Sequence, residues 1–152
     1  MAFQLRNVYA AVGLRHLGRL VTGAAAIIRD DIRDMLMDQQ QLSDPETVGS
    51  VKQAAIPLKP STIARKTRKG SKFPSTPRVD TGRMMEGVRA VNISAFKAEV
   101  SEQLSDRIAI AGFQHFGTAA IPARPFIGVS LDALTQIEGL VDREQTVMNA
   151  EF

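Results

Sequence analysis

The sequence contains no cysteine among its 152 residues, which excludes disulfides, thiolate metal sites and cysteine nucleophiles. This absence favours a cytosolic place of synthesis. Aromatic side chains are scarce, with one tyrosine and no tryptophan, so few rings are present to stack on nucleic-acid bases. The longest apolar run, residues 20–28, is far shorter than the roughly 20 residues of a membrane-spanning helix. We therefore expect neither a membrane span nor an export signal.

The composition, 44% hydrophobic and 23% charged, is typical of one globular domain, which we expect to span residues 1–152. The net charge of +3 is small, but it is unevenly distributed. Residues 51–79 hold seven Lys or Arg and, in addition, Arg78, without any Asp or Glu. The rest of the chain is therefore net acidic. Within this stretch, the candidate interaction residues are Lys59, Arg65, Lys66, Arg68, Lys69 and Lys72.

The first forty residues show helical periodicity, because apolar residues recur at steps of three and four. The predicted apolar stripe consists of Leu14, Leu17, Val21, Ala24, Ile28, Ile32 and Met35. The opposite, solvated face carries Arg15, Arg19, Arg29, Asp30, Arg33 and Asp34. The helix should end near residues 38–41, since Ser43, Asp44 and Pro45 favour a turn, with a second short helical start at residues 44–46 as one option.

Periodicity is lost in residues 49–78, which we call the basic loop. Pro57, Pro60, Gly70, Pro74 and Pro77 punctuate a stretch rich in Ser, Thr and Lys. We expect an extended loop or arm with one helical turn after Pro60. A loop this long within a domain is either functional or disordered.

The second half of the chain predicts a small sheet followed by a helix. In residues 88–93 and 98–100, apolar residues alternate with polar or small ones, which predicts two strands of an antiparallel hairpin. Residues 107–116 fit a strand or a short helix, and we favour a helix ended by Gly117. Residues 126–129 predict a short strand, after which Ser130 caps a final helix. The side chains of this helix expected to face inward are Leu134, Ile137, Val141 and Val147 or Met148.

These elements predict an α+β fold, in which a long N-terminal helix and a C-terminal helix pack on a small antiparallel β-sheet beside a long basic loop.

Chemical motifs are few. Neither His16 nor His115 has a carboxylate at metal-ligand or general-base spacing, so a surface or packed imidazole is the better interpretation. Asp30, Asp31 and Asp34 alternate with arginines, which favours a solvated charged face over a cation site. Residues 70–72, Gly-Ser-Lys, lack the order and the preceding strand of a phosphate loop. We therefore expect no catalytic residue, no cofactor, no metal and no enzymatic activity.

Three segments resemble a known family when taken in order. They are Pro-Leu-Lys-Pro-Ser-Thr-Ile-Ala-Arg-Lys at 57–66, Val-Asp-Thr-Gly-Arg-Met at 79–84, and Phe-Gly-Thr at 116–118 followed by Ile-Pro-Ala-Arg-Pro-Phe-Ile-Gly at 121–128. Together they resemble the tail completion and virion morphogenesis proteins of tailed phages. The resemblance covers roughly residues 10–145.

The chemistry of these segments is structural. Asp80 and Thr81 can start a turn at Gly82, which leaves Arg83 able to pair with a carboxylate. Pro122 and Pro125 favour an extended backbone, so Arg124 and Phe126 should point to opposite faces. We expect Phe126 to enter the core and Arg124 to reach outward, into an ion pair within or between subunits.

The resemblance implies a homo-oligomeric ring, six-fold in relatives, that caps the tail tube and receives the head connector or stopper protein. Such a protein resides in the neck of the virion, and in the host cytoplasm during assembly. The basic loop from residue 59 onward would be an arm, disordered in the free subunit, that contacts an acidic protein surface or DNA in the ring lumen. The alternative is a small nucleic-acid-binding regulatory protein, although no recognition motif is present.

Overall fold

The longest element is helix α1 (Ala2–Met37), in a computed structural model that describes residues 2–75, 83–94 and 96–151. Its predicted end is confirmed. The apolar stripe is buried only in its C-terminal part, where Ile32 and Met35 belong to the core. Leu14 and Leu17, at the other end of the same stripe, are exposed. Periodicity therefore predicted the helix correctly but not how much of its apolar face is covered.

Two short strands follow α1 and form an antiparallel pair. Strand β1 (Gln40–Leu42) pairs with β2 (Lys52–Ala54), so that Leu42 lies opposite Lys52. The residues between them form a turn, in which Ser43 N donates to Val51 O at 2.9 Å. A helical start at residues 44–46 is wrong, because the Asp44 carboxylate accepts from Glu46 N and closes a local turn instead.

The basic loop holds more regular structure than the single helical turn expected. Its first residues include β2, and helix α2 (Pro60–Arg68) follows with proline in its first turn, where the missing N–H costs no hydrogen bond. Residues 60–68 thus form a helix of more than two turns rather than an irregular loop. Residues 76–78 of the loop, and the predicted turn at Asp80, Thr81 and Gly82, lie outside the described residues.

A short helix, α3 (Arg83–Gly87), leads directly into the predicted hairpin, which is confirmed. Strand β3 (Val88–Ser94) pairs antiparallel with β4 (Lys97–Glu102), with an irregularity between Asn92 and Ser94. Helix α4 (Ser105–Phe116) comes next, which settles the strand-or-helix ambiguity in favour of the helix.

The strand predicted at residues 126–129 is absent from the described structure, and this segment runs as an irregular chain. Residues 125–129 bond instead to β1 and to the turn after it: Leu42 N donates to Pro125 O at 2.8 Å, and Gly49 N donates to Val129 O at 2.9 Å. Helix α5 (Leu131–Ala150) begins as predicted, since Ser130 Oγ accepts from Ala133 N.

Helix α5 lies against α1 with fewer buried side chains than its sequence pattern predicted. Leu134, Ile137 and Met148 are half-buried. Val141 and Val147 are exposed.

The core lies at the C-terminal end of α1. Its buried members, contributed by α1, β1, α3, β3, α4 and the irregular segment, are Ile32, Met35, Leu36, Leu42, Met84, Val88, Ala111 and Phe126. Phe126 is fully buried, as predicted. The fold class is α+β as expected, with two two-stranded antiparallel sheets among the described residues.

Candidate interaction surfaces

Helix α2 and the residues on either side of it present the cations of the basic loop. None of its nine residues is buried. Lys59, Arg65, Arg68, Lys69 and Lys72 are exposed, and within the described part of the chain none of them forms an ion pair. Lys66 differs, because it is half-buried and its Nζ donates to Phe73 O at 2.9 Å. Five of the six predicted interaction residues in this loop are therefore available to an anionic partner.

The end of α2 explains the Gly-Ser-Lys sequence that is not a phosphate loop. Gly70 adopts φ of 71°, a left-handed conformation that glycine accepts without strain. Gly70 N donates to Thr67 O and Ser71 N donates to Lys66 O. These two bonds form the Schellman motif that ends many helices, so Gly70 is a helix terminator.

Arg124 does not reach outward, contrary to our expectation. It is buried, its Nε donates to Ile56 O at 2.7 Å, and its Nη2 lies 3.4 Å from Pro57 O. Burial lowers the pKa of Arg124 from its ordinary value. Proline supplies no N–H at position 57, and the chain here turns from β2 toward α2, so these carbonyls lack strand partners and accept from the guanidinium instead.

Arg83 behaves as predicted in pairing with a carboxylate. Its Nη2 lies 3.3 Å from Asp106 Oδ2, which joins α3 to the first turn of α4. Both side chains are about half exposed, so this pair contributes at most about 1 kcal/mol to stability.

His115 and Gly117, at the end of α4, contact the backbone of the irregular segment that follows them. Nδ1 of the buried His115 accepts from both Phe126 N and Ile127 N at 3.2 Å, which requires that this nitrogen carry no proton. A Cβ on Gly117 would lie 2.6 Å from Ala123 N, and Gly117 has φ of 76°. His115 is thus the packed imidazole that we expected.

His16 has a carboxylate partner that sequence spacing could not reveal. Its Nδ1 lies 2.6 Å from Glu144 Oε2, and its Nε2 lies 3.5 Å from Glu151 Oε2. These two glutamates belong to the C-terminal end of the chain, which α5 brings back along α1. The group ties the two long helices together. His16 is a packed imidazole, as expected, but with carboxylate partners that its sequence neighbours do not supply.

Asp31 is also not part of a solvated face. It is buried, and its Oδ1 lies 2.6 Å from Lys52 Nζ, which also reaches Asp132 at 3.0 Å. Burial disfavours the charged amine, but the hydrogen bonds to both aspartates outweigh it and raise the pKa of Lys52. Lys52 therefore joins α1, β2 and α5, and it is not available to a partner.

Helix α4 exposes a large apolar face that the sequence did not single out. Its exposed fractions are 54% for Ile108, 40% for Ile110, 53% for Phe113 and 75% for Phe116. Only Ala111 and His115 of this helix are buried. The sequence pattern that fitted both a strand and a helix could have indicated this face. It arises because apolar residues occur on several sides of the helix, of which only one can pack on the core.

Neither a membrane span nor a metal centre is evident in the described ranges. No helix there is long and apolar enough to cross a membrane, and no three His, Asp or Glu side chains are arranged to hold a metal ion. Comparison with protein-family models, with curated proteins and with solved structures gave no match.

Proposed function

We propose that this protein is a non-enzymatic structural subunit of a tailed phage, a tail completion or terminator protein that forms a ring at the head-to-tail joint. The observation that carries the proposal is the Arg124 contact. Arg124 belongs to the third segment of the family resemblance, and its guanidinium binds the carbonyls of Pro57, the first residue of the first segment, and of Ile56 just before it. Segments that are more than fifty residues apart thus form one structural unit, as motifs that define a common fold should.

The apolar face of α4 supports an assembly role. Isolated exposed apolar residues are normal on protein surfaces, but several large ones on one short helix mark an interaction site. Ile108, Phe113 and Phe116 are each more than half exposed. We assign this face to the contact along the axis of the tail, where the ring meets either the tail tube or the head connector.

Deleting the gene from the phage that carries it tests the proposal directly. We expect full heads and separate tails to accumulate, and the purified protein added to this extract should restore joined particles. Normal numbers of joined particles without the gene would overturn the proposal.

The α4 face has its own test. Ile108→Asp with Phe113→Asp should fold but fail to join heads to tails, because charged groups cannot be buried in an apolar contact without a large penalty. The matched control is Val141→Asp with Val147→Asp, which alters two exposed apolar residues of α5 and should join particles normally. Equal joining by both variants would remove α4 from the proposal.

The alternative function, a nucleic-acid-binding regulator, depends on the exposed cations of α2. Such binding would weaken steeply with salt, because phosphate contacts release counterions. A deletion phage with altered transcription but correctly joined particles would favour this alternative.

A further inference from the structure

Charge is segregated in two adjacent stretches of the chain. Residues 34–51 contain four acidic residues, Asp34, Asp38, Asp44 and Glu46, and no Lys or Arg. Residues 52–72 contain seven Lys or Arg and no acidic residue. The first stretch includes β1 and the second includes β2 and α2, so one chain presents an acidic surface and its complement.

The acidic stretch includes a well-ordered turn, residues 43–51, which we call the acidic turn. Asp44 N donates to Ser50 Oγ, and Asp44 carboxylate oxygens accept from Glu46 N and Thr47 Oγ1. The bonds from Thr47 Oγ1 and from Glu46 N lower the pKa of Asp44, so its carboxylate stays charged at neutral pH. A surface that is already ordered loses little conformational entropy when a partner binds.

The acidic turn also exposes apolar side chains. Val48 is 67% exposed and Val51 is 58% exposed. Leu131 is 49% exposed and lies beside them, since Leu131 N donates to Ser50 O at 2.9 Å. An apolar centre with a charged rim is the usual arrangement of a protein interface. Glu46 lies at this rim, and it forms no ion pair within the described residues.

Helix α2 has the complementary character. Arg65 and Lys69 are one helical turn apart, both are exposed, and neither forms an ion pair in the described ranges. Half-buried Ile63 and exposed Ile56 supply apolar surface nearby. The helix contains no aromatic residue that could stack on a base, so its chemistry suits an acidic protein surface better than a single strand of nucleic acid.

We infer that α2 of one copy binds the acidic turn of the next copy, and that this is the lateral contact between subunits. The inference depends on the proposed ring. The two patches are different surfaces of one chain, so the contact is heterologous, and repeated contacts of this kind close into a ring when the rotation permits. Opposite charges favour this pairing and oppose contacts of like patches.

Mixing two variants tests the contact. The first variant, Arg65→Glu with Lys69→Glu, removes the basic surface, and the second, Glu46→Lys with Val48→Lys, removes the acidic one. Wild type should form oligomers in native mass spectrometry and sedimentation, whereas each variant alone should remain monomeric. An equimolar mixture should form dimers and nothing larger, because only one functional pair of surfaces remains.

Control variants carry the same charge changes on other exposed positions. Lys97→Glu with Arg143→Glu matches the first variant, and Asp142→Lys with Val147→Lys matches the second. Both controls should form oligomers like wild type. All substituted side chains are exposed, and the melting temperature checks folding. If a variant melts early, Arg65→Gln with Lys69→Gln takes its place, with weakened association expected.

Salt provides an independent readout. Because screening shortens the range of exposed charges from about 10 Å at 0.1 M to roughly 3 Å at 1 M salt, wild-type association should weaken at least about tenfold across this range.

Each remaining outcome has a definite meaning. Oligomers formed by the Arg65→Glu, Lys69→Glu variant as by wild type would overturn the inference. If this variant then bound double-stranded DNA more weakly than wild type in the same sedimentation assay, α2 would be assigned to phosphate contacts instead. If wild type formed oligomers but the equimolar mixture of variants formed no dimers, the lateral contact would lie elsewhere on the subunit. The proposed ring would still stand. A wild-type chain that is monomeric, both alone and with tails, would overturn the ring itself and this contact with it.

Discussion

Two stretches of this chain contain proline and arginine, yet one buries its arginine and its phenylalanine and the other is exposed. Residues 121–126 include Arg124 and Phe126, which are both buried. Residues 57–68 include Pro60 and Arg65, and no residue of α2 is buried. The difference arises from the available partners: Arg124 binds carbonyls that have no strand partner, and Phe126 packs within the core. Composition alone does not decide whether an arginine is a structural group or a surface charge.

The largest expected effect is at Phe126, on the buried side of this comparison. Phe126→Ala should lower the free energy of unfolding by about 3 to 5 kcal/mol, because it leaves a cavity in the core. Denaturant titration measures the change. Phe113→Ala, at an exposed position of α4, serves as the control and should change stability by less than about 1 kcal/mol. Equal effects of the two substitutions would mean that Phe126 does not pack as described.

Arg124 provides the next effect. Arg124→Met keeps apolar bulk but leaves the Ile56 carbonyl without its donor, which should cost about 1 to 3 kcal/mol of unfolding free energy. Arg65→Met is the matched substitution in the exposed stretch and should stay within about 0.5 kcal/mol of wild type. If Arg65→Met proved the more destabilising of the two in the isolated chain, Arg65 and not Arg124 would be the structural arginine.

The smallest effect concerns Glu102, a buried carboxylate at the end of β4. Burial raises the pKa of Glu102, against an opposing hydrogen bond from Leu104 N. A raised pKa means that the folded state binds the proton more tightly than the unfolded state. The stability from this group is therefore fully present below its unfolded pKa and is lost as pH rises through the folded pKa.

Glu102→Gln should consequently be at least as stable as wild type at pH 7, and its advantage should shrink as pH falls. Unfolding titrations from pH 7 down to about pH 4 follow this difference. Exposed Glu86 supplies the control substitution, Glu86→Gln. A stability difference that stays constant with pH would show that Glu102 does not titrate in this range.

Local sequence signals predicted the elements that depend on neighbours in the chain. The period of α1, the alternation of β3 and β4, the Ser130 cap and the Gly117 helix end all reflect interactions within a few residues, and all are confirmed. The strand predicted at residues 126–129 failed because a strand needs a partner at hydrogen-bonding distance along its length. Among the described residues, the β1–β2 turn pairs with this part of the chain in strand fashion only at Ser50 and Ser130. Its other backbone bonds there, such as Gly49 N to Val129 O, do not continue into a ladder.

The interaction residues divide in the same way. Lys59, Arg65, Arg68, Lys69 and Lys72 lie on the surface, where a charge-rich local sequence predicts them. Arg124, His16 and Asp31 are buried beside groups that lie far away in sequence: Ile56, Glu144 and Lys52. No spacing rule relates such pairs, so their roles could not be predicted.

The amino-acid sequence by itself determined α1, α4, α5, the hairpin, the segregation of charge and the absence of thiol chemistry, because propensity, periodicity and composition are properties of the local chain. Only the tertiary structure decided which part of the α1 stripe is covered, which charges are paired and which apolar face of α4 is left in solvent. Burial depends on what another segment brings to a surface, and that is a property of the packed chain rather than of any one stretch of it.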